Sequence, residues 1–288
     1  MGLDHTGTRL LLYARSCGVA FGKTVMIGRQ GLHVDHTTLA SNFAAFGLGN
    51  VDAEDILRQA NGYAEPFIRS LGGTDVDSID VSDYEAATIV HDMNVPVPDR
   101  YKAMFDVVLD GGSLEHIFNF PIAVKNCMEM VRLNGYFLGI TPANNFLGHG
   151  FYQFSPELYF RVFSPENGFQ VRKMLFFVDE PRTGWYEVKD PREVKGRVTL
   201  CNSRRSYLFV MAQRLSSSAP LANSPQQSDY QDVSWKMTMQ ELPGQTRRSI
   251  GTRVRGRVEH MLRRLAVVFK QTGVSEKRFF TRVNQKAH

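Results

Sequence analysis

The stretch 105–142, FDVVLDGGSLEHIFNFPIAVKNCMEMVRLNGYFLGITP, carries the reading of the fold. Residues 105–109 form a short, β-branched apolar run, the texture of a strand buried on both faces. The run ends at Asp110 in a glycine turn, Gly111-Gly112. Residues 119–133 then bring Ile122, Val124, Met128 and Val131 round at helical spacing, as an amphipathic helix does. Asn134-Gly135 turns that helix into a second apolar strand, 136–141. Strand, helix and strand in this order form a unit of parallel sheet with a right-handed crossover.

The same alternation extends upstream. Residues 23–27 read as a buried strand feeding the turn Gly28-Arg29-Gln30-Gly31, and Asp35 can cap a helix over 36–46. Two helical pieces, 53–60 and 64–71, follow as an insertion at about 48–72. Short strands are then expected at 76–81 and 88–90. Downstream lie a helix at 156–163, strands at 170–178 and 207–213, and a loop and helix around 191–197 between those strands. The pattern predicts an α/β fold: a Rossmann-like, mainly parallel sheet with flanking helices, a late antiparallel strand and a helical basic C-terminal extension. The expected organisation is an N-terminal helix within 1–22, the Rossmann-like domain over 23–214, a linker over 215–245 and a basic helical tail over 246–288. The linker reading rests on the Ser, Pro, Gln and Ala content of 216–232.

Composition narrows the functional classes. The chain has 288 residues, enough to bury a sizeable core, and no apolar run long enough to span a bilayer. Cys17, Cys127 and Cys201 are far apart, with no CxxC or Cys/His cluster, so neither a disulfide framework nor a metal site is expected. A reducing, cytoplasmic setting follows; the Met1-Gly2…Thr6 start fits the myristoylation pattern, which is a loose one. Residues 247–288 carry 12 Lys/Arg against Glu259 and Glu276, a local balance of +10 within a net +5, which leaves the rest at −5. Such a tail can dock on the acidic body or a partner subunit, or lie on an anionic membrane as an Arg-flanked apolar stripe. Nucleic acid is the least favoured partner, because Phe279-Phe280 alone interleaves aromatics with the arginines.

In open α/β sheets the ligand sits beyond the carboxyl ends of the strands. Those ends carry Gly28, Asp80, Asp92, Asp110 and Thr141. Gly28 and Gly31 let a ligand approach the backbone. Asp80 is placed to accept ribose hydroxyls, and Asp92 an adenine amino hydrogen, with Met93 covering the ring. Asp110 and Gly111 open the centre of the site. Asp106, inside its strand, reads as structural. His33, His36 and His91 have no metal-ligand partners at suitable spacing and read as surface or packing residues. Together the strand ends describe a pocket for an adenosine compound.

The run 105–142 resembles the core that follows the cofactor strands in class I S-adenosylmethionine-dependent methyltransferases, with FDVV, the LEH turn and the glycine before the last strand. SIDVSDYEAATIVHDMN, 78–94, resembles that family's ribose- and adenine-binding strands, and the stretch 141–163 resembles a bacterial subgroup of unassigned substrate. The resemblance spans about 24–213. It implies S-adenosylmethionine as cofactor, a small-molecule substrate (a sugar or secondary metabolite), and Asp80, Asp92 and Met93 as cofactor contacts. The first glycine motif departs from the family's, since the leading acid is absent before Gly28; Arg29 or helix-start N–H groups could hold the methionine carboxylate instead.

The segment Asn144-Asn145-Phe-Leu-Gly-His149-Gly-Phe-Tyr152-Gln153-Phe154 packs amides, an imidazole, a phenol and aromatics between two glycines. One reading is an acceptor-binding lid, with Asn144, Asn145 and Gln153 on substrate and His149, His116 and Tyr152 as candidate catalytic groups. The other is a loop held by amide hydrogen bonds and plugged by aromatics. Glu115-His116 can face the reaction or cap its own helix equally well. Two further readings of the whole chain stand beside the methyltransferase: a non-catalytic binding or scaffold protein on the same fold, and a nucleotide-sugar enzyme.

Overall fold

The computed structural model describes residues 2–180, 183–198, 200, 202–231, 274 and 278–285. The parallel core comprises β2 (Gly22–Ile27), β4 (Gly73–Asp80), β5 (Ile89–Val90), β6 (Phe105–Asp110) and β7 (Val131–Asn144), in the order β5-β4-β2-β6-β7. With strands counted by their place in the domain, this is the 3-2-1-4-5 order of the doubly wound fold, whose switch point lies between β2 and β6. Beyond β7 the sheet continues with β10 (Ser206–Arg214), which is antiparallel to both β7 and β8 (Phe169–Val178). The expected late inverted strand is therefore present, inserted between two strands that run with the parallel set.

Adjacent residues of the central strands serve opposite faces, as the period of two requires. Val25, Ile27, Val108 and Phe137 join one buried cluster, while Met26, Val107, Leu109 and Leu138 join the other. The first face is covered by α5 (Phe120–Met130) and α6 (Pro156–Val162). The second is covered by α1 (His5–Ser16), α2 (His36–Ala45), α3 (Ala53–Ala60) and α4 (Glu65–Ser70). Side-chain caps begin α1, α2 and α3: Asp4 accepts from Gly7 N, Asp35 from Thr38 N, and Asp52 from Glu54 N and Asp55 N. Among the described residues no helix is long and apolar enough to cross a membrane.

Five features depart from the sequence reading. The helix expected over 119–133 stops at Met130, because Val131 pairs with Phe105 and enters β7; Asn134 takes a positive φ of 66° just before Gly135 as the register shifts. A short parallel pair, β1 (Gly2–Leu3) with β3 (Gly31–Leu32), ties the N-terminus to the glycine turn. The loop before α7 (Pro191–Val194) contains another strand, β9 (Trp185–Val188), on the far edge of β8. The tail expected to be helical ends instead in a strand, β11 (Phe280–Val283), antiparallel to β9; Phe279 and Phe280 are buried in the core. Residues 246–273 of that tail lie outside the described residues. The linker is also partly docked: Ser228, at the start of α8 (Ser228–Gln231), is buried and bonded to the Glu157 carboxylate, and Leu221 N donates to Asn167 Oδ1 at 3.1 Å.

Candidate active site

The carboxyl ends of β2, β4, β5, β6 and β7 line one rim. Gly28 N donates to Ile79 O at 2.8 Å and His91 N to Asp80 O at 2.8 Å, so the glycine turn, Asp80 and the residue before Asp92 are neighbours. Gly28 has φ +69° and Gly112 φ +100°, values that suit glycine, and they flank the switch point. Asp80 is half-buried and accepts only a weak bond from Ser82 N at 3.3 Å. Asp92 closes a turn on Asn94, accepting its backbone N–H at 2.9 Å and its side-chain amide at 2.8 Å. These bonds hold the Asp92 carboxyl below its usual range. Met93, expected over a ligand ring, lies inside the core at 5% exposure.

The glycine turn itself is heavily engaged. The insertion carrying α3 and α4 folds back on it: Leu32 N donates to Gly62 O and Ala64 N to Gln30 O. Glu65 thereby meets Arg29 at 2.6 Å, while the guanidinium also donates to Glu85 O at 2.9 Å and covers the Tyr63 ring at 3.8 Å. Arg29 is thus committed to neighbours on three sides. Gln30, which no motif singles out, fills the crevice between β2 and β6. Its amide nitrogen donates to Ile27 O at 2.7 Å and to Ser113 Oγ at 3.2 Å. A Cβ on Gly111 would lie 2.4 Å from Gln30 Oε1, an oxygen that is buried and has no hydrogen-bond partner.

Across the switch point a second group assembles. Asp110 is fully buried, and its Oδ1 accepts Ser113 N at 2.8 Å and Leu114 N at 3.2 Å, which shapes the 3-10 turn Leu114–His116. Its Oδ2 has no partner among the described residues. Burial pushes the Asp110 carboxyl up to about 6. Glu115 is 2% exposed, and burial followed by the charge of Asp110 pushes it up to about 8. Glu115 Oε1 faces His149 Nε2 at 3.6 Å, while Oε2 has no hydrogen-bond partner among the described residues. The His116 and His149 rings meet edge to face with centroids 4.8 Å apart. Burial, then the neighbouring His149, lowers the His116 pKa. Two exposed aromatics, Phe118 and Phe151, stand beside them in a T-shaped pair at 5.6 Å.

His149 is delivered there by a stitched loop. Asn144 and Asn145 donate to Asn202 Oδ1 at 2.8 and 2.9 Å, and Asn145 also donates to Arg204 O at 2.7 Å. Gln153 Oε1 accepts Phe146 N at 2.8 Å, and the Tyr152 hydroxyl donates to Phe118 O at 2.6 Å. Phe151 N donates to Glu115 O at 2.8 Å, and a Cβ on Gly150 would meet that same oxygen at 2.8 Å. The amides and the phenol therefore hold the loop, and His149, 48% exposed in its side chain, is the group it presents. Asn202, buried at 7% exposure and beyond any sequence signal, is the common acceptor. Asn202→Ala is expected to cost about 1 kcal/mol by removing the acceptor of Asn144, while Asn145 keeps Arg204 O. It should also expose 145–151 to proteolysis; an unchanged melting temperature and cleavage pattern would contradict the role.

The larger cavities lie elsewhere. One of about 590 Å³ runs along the β8–β9 edge between Phe160 and Lys173, and another of about 410 Å³ lies beside Arg161 and Gln227. The crevice at the switch point is closed by Gln30.

No protein-family model matches the chain. No curated protein sequence matches it either. Among solved structures it is similar to a Listeria monocytogenes protein described as an S-adenosylmethionine-dependent methyltransferase, at 14% identity and TM-score 0.42, over 74% of this chain and 98% of that one. It is also similar to a methyltransferase from Aquifex aeolicus, at 10% identity and TM-score 0.36, over 72% and 89%. A third is a 16S rRNA adenine methyltransferase from Catenulisporales acidiphilia, at 11% identity and TM-score 0.36, over 73% and 92%.

Proposed function

We propose that the chain transfers a methyl group from S-adenosylmethionine to a small-molecule acceptor at the rim formed by β2, β4 and β6. The observation that carries this reading is the rim itself: a glycine turn on the first strand of a 3-2-1-4-5 sheet, with a nearly unengaged carboxylate, Asp80, at the tip of the next. Asp80 would hold the ribose, and Gly28, Gly111 and Gly112 would leave room for the ligand's approach. The residues fit the donor once Gln30 turns out of the crevice, which would also release its unpaired oxygen. Arg29 is already paired with Glu65, so backbone N–H groups are left to meet the donor's carboxylate. The bound donor supplies a methyl on a sulfonium. The chain's own task is to align the acceptor and hold water away, and Glu115, His116 and His149 sit where an acceptor proton could be taken up.

The closed crevice favours a second reading, a binding module that keeps the fold without the reaction. Calorimetry with S-adenosylmethionine separates the two. Binding is expected for the wild type, about tenfold weaker for Asp80→Ala and several-fold tighter for Gln30→Ala, since the variant removes a side chain that must otherwise be displaced. Folded protein that releases no heat in any of the three forms would leave the binding module. Stabilisation by sugar nucleotides and not by the adenosyl compound would point to the nucleotide-sugar enzyme. Methylation of RNA but of no small molecule would move the acceptor to nucleic acid.

A further inference from the structure

We infer that Glu115, His116 and His149 form a site for a divalent transition-metal ion of the zinc class. One carboxylate oxygen and one ring nitrogen from each histidine all lie within 4.8 Å of one another. Ligand atoms at about 2.0–2.2 Å around a tetrahedral ion stand roughly 3.3–3.5 Å apart. The Glu115–His149 separation of 3.6 Å is already at that spacing. The remaining closure asks for about an ångström of side-chain rotation, which two exposed imidazoles can provide.

The donor set and its surroundings point the same way. Two imidazoles and a carboxylate suit zinc, cobalt, nickel or iron(II) rather than magnesium or calcium, which prefer all-oxygen shells. Glu115 is buried, with one oxygen toward His149 and the other lacking any hydrogen-bond partner. A buried carboxylate in that state is costly, and a cation is one way to satisfy it. The backbone is fixed in advance: Asp110 caps the turn bearing Glu115 and His116, and Phe151 N on Glu115 O holds the His149 loop against that turn. Three protein donors leave at least one position open, the form of a catalytic rather than a structural site. The site stands on its own geometry and does not depend on the methyl-transfer reading.

The test uses tag-free full-length protein, stripped with chelator and free of S-adenosylmethionine, so that its failure is distinct from failure of the cofactor reading. Zn2+ titration is expected to show one tight equivalent and to raise the melting temperature. His149→Ala and His116→Ala, on exposed side chains that leave the fold intact, should each weaken that equivalent more than about tenfold to a hundredfold, the loss typical of an outer-shell partner. Co2+ should give a visible spectrum that both variants lose. Glu115→Gln, checked for folding by circular dichroism, should do the same. Zn2+ that binds both histidine variants as it binds the wild type, or a wild type that binds no Zn2+ at micromolar concentration, would overturn the assignment.

Discussion

Phe279→Ala is expected to lower stability by about 3–5 kcal/mol, the range for removing a buried aromatic ring. Phe279 is 0% exposed and lies in the cluster that includes Phe176, Val188 and Phe280. Its backbone carbonyl accepts Lys189 N at 2.9 Å, which continues the pairing of β11 with β9. The C-terminal strand is thus part of the folded body. A chain ending at residue 277 should therefore lose both the ring and the strand, and melt lower still than the single variant. Thermal or urea unfolding measures both; a truncated chain as stable as the full one would show that the strand contributes nothing. A modest surface effect, under about 0.5 kcal/mol, is the corresponding expectation for Tyr230→Ala, which is 66% exposed.

The strand's place could not be read from 246–288, where twelve cations dominate the composition and suggest an interfacial or solvated helix. Phe279-Phe280 were visible as an aromatic pair, but only the pairing partner gives them a direction. That partner, β9, is four residues long and hidden between Gly184 and Asp190. The central sheet was legible for the opposite reason. Val25-Met26-Ile27 and Val107-Val108-Leu109 are apolar at every position, a pattern that needs cover on both faces. Asp35 also announced its helix, α2.

The candidate site was legible only in outline. Gly28, Asp80 and Gly111 lie at the carboxyl ends of β2, β4 and β6, because strand ends are set by local pattern, while His116 and His149 meet Glu115 on the turns that follow β6 and β7. The roles of their neighbours depend on long-range contacts that no spacing encodes. Arg29 is taken by Glu65 because an insertion folds back across 36 residues. Asn145 is taken by Asn202 across 57. Gln30 reads as an ordinary polar turn residue until Ser113 and Gly111 are seen around it. Glu115 is the clearest case: LEH reads equally as a capped helix start or as an active-site edge. Only the return of the Gly148-His149-Gly150 loop shows that its carboxylate is sealed from water and turned toward two imidazoles.

That burial leads to the second large effect, the pH dependence of Glu115→Gln measured without added metal. Burial, then the charge of Asp110, raises the folded-state pKa of Glu115 from 4.5 to about 8. Between those values the folded protein binds more protons than the unfolded chain, so this group makes stability fall as pH rises from about 4.5 to about 8. Below that window the carboxyl is neutral in both states and glutamine is a near-isosteric replacement of little consequence. Above it the wild type must bury a charge beside Asp110, and the variant does not. Glu115→Gln is therefore expected to match the wild type near pH 4 and to exceed it by on the order of 2–4 kcal/mol at pH 9. Asp110→Asn should behave differently, because Asp110 Oδ1 caps the turn through Ser113 N and Leu114 N; the weaker acceptor costs stability most at low pH, and loss of a buried carboxyl raised to about 6 offsets part of that cost above pH 6. Urea unfolding of both variants from pH 4 to 9 gives the comparison. A Glu115→Gln curve parallel to that of the wild type would mean that the carboxylate reaches water or a cation in solution. Only a return of the slope after stringent chelation would identify the cation as the cause.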